Sequence, residues 1–88
     1  MVTVYRIDNI ALRDSPVRYR RVYRADAVVN HVGAERHTLA IEFTIEDTAD
    51  RGTDLSVRFL DTPDYPLLPA TRAVRRYIRH LQTQGTVV

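Results

Sequence analysis

Apolar and polar residues alternate in two long stretches of this chain and then change to a helical spacing near its end. Between His37 and Asp47, Leu39, Ile41, Phe43 and Ile45 share one parity, while Thr38, Ala40, Glu42, Thr44 and Glu46 share the other. Between Val17 and Asn30, Tyr19, Tyr23, Ala25, Ala27 and Val29 oppose Arg18, Arg20, Arg24 and Asp26. A period of two places such sets on opposite faces of a strand, so each stretch predicts a strand with one buried face. Arg21 falls on the apolar parity and Val22 on the polar one, which predicts a β-bulge or a wet sheet edge there.

Val32-Gly33-Ala34 connects the two stretches, with Gly33 free to take a positive φ. A three-residue loop between His31 and Glu35 fixes the antiparallel register. Tyr23 then faces Phe43, Ala25 faces Ile41, and Ala27 faces Leu39. On the other surface Arg24 faces Glu42 and Arg20 faces Glu46. This register matches aromatic with aromatic and cation with anion, and a one-residue slip loses both matches.

The remaining segments are shorter. Val2, Val4, Ile7, Ile10 and Leu12 anchor a short strand continued by an irregular arm, and Asp14-Ser15-Pro16 reads as a turn. Residues 48–54 are polar and contain Gly52, hence a loop. Leu55 to Leu60 reads as a strand, with Leu55, Val57 and Phe59 inward. Residues 61–69 carry three prolines and read as a stiff connector whose Tyr65, Leu67 and Leu68 plug the edge of the core. From Ala70 the period becomes 3.6: Ala70, Ala73, Val74, Tyr77, Ile78 and Leu81 form one stripe. Pro69 suits a first helical turn and Gly85 a terminator. The fold class is therefore α+β: a small, curled antiparallel sheet of three to four strands, a long hairpin plus a short strand, against one C-terminal helix. Residues 1–88 read as one domain, with a loose tail at 84–88 that includes the β-prone pair Val87-Val88.

Composition then narrows the functional classes. The absence of cysteine removes disulfides, thiolate metal sites and cysteine nucleophiles. No apolar run approaches the length of a membrane helix, and the first residues do not form a signal peptide, so a cytoplasmic location is expected without a membrane partner. All thirteen basic residues are arginine. Residues 1–40 carry net +3, residues 41–69 net −5 and residues 70–88 net +4. Such a dipolar distribution can orient a partner.

Candidate chemistry is sparse. Arg72, Arg75, Arg76 and Arg79 flank the helical stripe as a basic face able to follow a phosphate backbone. Tyr19 to Arg24 interleaves aromatic and basic residues, but their parities differ. His31, His37 and His80 lack metal-site spacing, as do Asp47, Asp50, Asp54, Asp61 and Asp64, so no metal or cofactor is expected. The three glycines are scattered, which leaves no phosphate loop. The expectation is a non-catalytic protein-interaction or structural module, self-associating through the outer sheet face at Val22, Val28, Ala40 and Thr44 or through an edge strand. The alternative is a nucleic-acid-binding module using Arg72, Arg75, Arg76 and Arg79.

Overall fold

Alternating β-branched and aromatic residues do form strands here, and their pairing order follows the chain. The computed structural model describes residues 2–13, 18–31, 36–50, 52–61 and 67–87, apart from the side chains of His31, Leu67 and Leu68. The strands are β1 (Val2–Arg13), β2 (Arg20–His31), β3 (His37–Asp47) and β4 (Thr53–Phe59), followed by the helix α1 (Leu67–Thr83). They form one antiparallel meander in the order β1-β2-β3-β4. The turn at Asp14-Ser15-Pro16, the connection Val32-Gly33-Ala34 and the proline-bearing segment around Tyr65 lie outside the described residues.

The β2–β3 register is the one that the matched side chains require. Pairing runs unbroken from Arg20↔Glu46 to Val29↔His37. Tyr23 and Phe43 stack with ring centroids 5.0 Å apart, an arrangement worth about 0.5–1.5 kcal/mol beyond the area buried. The bulge expected at Arg21-Val22 is absent from this ladder. Arg21 shares the inner face with Ile45 but sits at its rim, where it reaches Asp47. β2 itself begins at Arg20, later than expected, and the ring of Tyr19 is 51% exposed although its parity is inward. The inner face outruns its cover: 12-residue strands span about 40 Å, and the 17-residue helix only about 25 Å.

The amino-terminal segment is a full edge strand. Two register shifts, between Val4 and Arg6 and between Asp8 and Ala11, each insert one extra residue into β1. An extra residue restores the inward parity that uneven apolar spacing would otherwise lose. Val2, Val4, Ile7 and Ile10 all join the core in this way. Asn9, at the second shift, has φ 55, a left-handed conformation that asparagine tolerates better than most residues. Its amide donates to Asp26 Oδ2 at 2.8 Å, tying the bulge to β2.

Helix α1 starts three residues earlier than its stripe, with Pro69 in the first turn. Ala70, Val74 and Ile78 are fully buried, and Ala73, Tyr77 and Leu81 pack beside them. The helix backbone lies closest to β1 and β4, the two edges, so the sheet curls around it. At its end Gly85 takes φ +78. The Gly85 N–H donates to the Gln82 carbonyl and the Thr86 N–H to the Leu81 carbonyl, which is a Schellman motif. Val87 then folds back into the core at 3% exposure. The expected loose tail is thus pinned through Val87.

Two backbone positions test this account. The Cβ of an alanine at Gly85 meets nothing within 4 Å, so Gly85→Ala isolates the left-handed penalty and costs about 1 kcal/mol. Asn9→Val adds a β-branched residue at positive φ and removes the Asp26 bond, for a loss of about 2 kcal/mol. Urea unfolding should show lower midpoints with unchanged m-values.

Candidate functional site: a groove between an edge strand and the arginine face of the helix

The sheet's arginines are engaged on the protein itself. On the outer face, Glu42 accepts from Arg24 at 3.3 Å and from Arg58 at 2.9 Å, a row across β2, β3 and β4. Arg20 meets Glu46 at 3.1 Å, and Arg6 meets Asp8 at 2.7 Å. At the inner rim Arg21 forms a two-point contact with Asp47 at 3.0 and 3.3 Å. The Asp47 hydrogen bond raises the Arg21 pKa above its ordinary value, against a smaller opposing effect of burial.

This row divides the surface expected to mediate self-association. Val22 and Thr44 are paired neighbours on one side of Arg24–Glu42; Val28 and Ala40 lie on the other. Val28 is only 6% exposed and has little surface to offer. Beside it the Arg36 guanidinium lies 3.9 Å from the centre of the Tyr5 ring, so side chains from either side of β2 meet there. The Ala40 amide is occupied as well, donating to Asp61 Oδ2 at 3.1 Å. The four residues therefore do not form a continuous apolar patch.

The helix arginines divide differently. Arg79 turns inward and donates to Thr53 Oγ1 at 2.7 Å, the Thr53 carbonyl at 2.9 Å and Gln82 Oε1 at 2.9 Å. It clamps α1 to the start of β4 and leaves the expected basic face. Arg72, Arg75 and Arg76 are exposed. They make no hydrogen bond or ion pair among the described residues.

Arg76 also borders a groove of about 410 Å³ lined by Val2, Thr3, Val4, Ala73, Tyr77 and His80. Its floor is mainly apolar, with Arg76 and His80 supplying the donors. Tyr77 and His80 contact edge to face at 6.5 Å between centroids. The sequence identified each lining residue only as core stripe or strand anchor. Their convergence depends on α1 lying beside β1, which no local pattern encodes; the spacing of Arg76 and His80 by one helical turn was the available hint.

Among the described residues, no group of three or more His, Asp or Glu side chains converges as a metal site would. His37 is exposed at the start of β3, whereas the side chain of His31 and all of Asp64 lie outside the described residues. No described helix is long and apolar enough to cross a membrane.

The clamp and the exposed arginines should separate in stability measurements. Arg79→Ala removes three charge-assisted bonds at a part-buried position and costs about 1–2 kcal/mol. Glutamine at Arg72, Arg75 or Arg76 changes stability by less than about 0.5 kcal/mol, as read from thermal and urea midpoints.

No curated protein and no solved structure matches the chain. A family model does, over residues 1–83 of the 88, and the chain belongs to the BB_0187 family.

Proposed function

We propose that this protein is a protein-interaction module without catalytic activity of its own, and that it engages an acidic partner through the β1–α1 groove. The carrying observation is the groove's composition: an apolar floor beside an edge strand, with Arg76 and His80 as donors. Arg72 and Arg75 extend the positive charge along the same helix. Acidic partners are favoured by that field, and wrong partners of like charge are repelled. Self-association would use an edge strand and not the outer face, because the Arg24–Glu42–Arg58 row already occupies that face.

A second reading has its own observation. Arg72, Arg75 and Arg76 form an exposed cationic face without partners among the described residues, as a phosphate-following surface requires. In that reading the helix binds nucleic acid, and affinity falls steeply with salt.

Amide NMR titrations separate the two. A polyglutamate peptide should shift the amides of residues 2–4 and 72–80, whereas a mixed-sequence oligonucleotide at moderate salt should not. Oligonucleotide shifts confined to α1 and abolished by salt would favour the nucleic-acid reading. Silence toward both ligands would reject both. Sedimentation at two concentrations tests self-association; a monomer throughout removes that part of the proposal.

A further inference from the structure

We infer that the partner is bound as an added β-strand on the edge of β1 at Val2–Val4, with acidic side chains two residues apart reaching Arg76 and His80. This rests on the interaction reading above and specifies the form of its ligand.

The edge is the first argument. β1 is outermost in the sheet, so one side of its backbone faces away from β2. No turn, loop or cap hydrogen bond reaches Val2–Val4 among the described residues. Beyond Val4 the first bulge interrupts the ladder, and the second follows after Asp8. Bulges twist an edge away from pairing, so β1 offers one short flat segment and protects the rest. That segment borders the groove. Three consecutive residues line it, Thr3 as well as Val2 and Val4, which places the opening at the strand's edge and not only over its inner face.

The geometry of strand addition fits this opening. A new strand lies about 4.8 Å from β1 and projects alternate side chains to the same side as Val2 and Val4. Those side chains enter the space beside Ala73 and Tyr77, where 410 Å³ suits a few side chains and not a folded surface.

Spacing supplies the specificity. Arg72, Arg76 and His80 occupy successive turns of α1, about 6 Å apart along the axis. Alternate side chains of an extended strand recur at about 6.7 Å. Carboxylates at positions i and i+2 of the ligand therefore match Arg76 and His80. A helical ligand would leave the edge's backbone groups unused, since its own are already satisfied.

The test uses a capped octapeptide, Ser-Val-Thr-Glu-Thr-Glu-Thr-Val, read by fluorescence anisotropy and amide NMR. In an antiparallel or parallel added strand only alternate N–H groups pair with β1. Methylating one alternate set of peptide nitrogens should weaken binding about tenfold or more, and methylating the other set about twofold or less. Replacing both Glu by Gln should cost about tenfold. The Arg76→Gln/His80→Ala double variant should lose the preference for Glu over Gln while melting at the same temperature, both positions being exposed.

Equal binding of the two methylated sets overturns strand addition but leaves the interaction reading in place. Equal binding of the Glu and Gln peptides overturns the assigned role of Arg76 and His80. Absence of binding by every acidic peptide, polyglutamate included, removes this inference together with the reading on which it rests.

Discussion

The fold depends on one pairing, that of β2 with β3. Their unbroken register places Tyr23 on Phe43, Ala25 beside Ile41 and Ala27 beside Leu39, and it places Arg24 and Arg20 opposite Glu42 and Glu46. Each match is small, but all are lost together if the ladder slips, because a one-residue shift exchanges the two faces. β4 extends the same logic, with Leu55, Val57 and Phe59 opposite Ile45, Phe43 and Ile41. The small side chains of Ala25 and Ala27 on the inner face, with Ala70 and Ala73 on the helix, allow sheet and helix to approach closely.

The helix is then held by the sheet's edges. By strand order and register, Val2 at the start of β1 and Thr53 at the start of β4 are diagonally opposite corners. Twist and coiling bring such corners toward one another. Arg79 binds the Thr53 corner, while Ala73, Arg76, Tyr77 and His80 lie beside the Val2 corner. The contact with β4 is closed by hydrogen bonds, and the contact with β1 leaves a groove. At the far end of the inner face the helix gives no cover, and Leu12, although paired with Tyr23, stays 63% exposed.

What could be read from the sequence was whatever a strict period encodes. The alternation in β2 and β3 gave the register, and the stripe Ala70 to Leu81 gave the helix face with Gly85 as its stop. β1 was harder because its apolar residues are spaced unevenly. The interval from Val4 to Ile7 is the trace of a bulge, yet it resembles an irregular arm until the partner strand is known. Val87 was assigned to a tail because one apolar residue after a glycine carries no period. The Schellman motif supplies the missing reason, since it turns the chain back onto the core. Arg79 and the groove were illegible for a common cause: both depend on which edge the helix approaches. Sequence spacing put Arg79 with Arg72 and Arg76, whereas tertiary contact with Thr53 removes it from them.

The account's central claim is a division among arginines: those of the sheet and Arg79 hold the fold, and Arg72, Arg75 and Arg76 remain for a partner. Side-chain Nε–H NMR spectra at low pH and temperature test it most directly, because exchange reports engagement of each guanidinium. The division predicts dispersed, slowly exchanging signals for Arg21 and Arg79, and coincident, rapidly exchanging ones for Arg72, Arg75 and Arg76. Protected signals from the helix trio, or an unprotected Arg79, would contradict it.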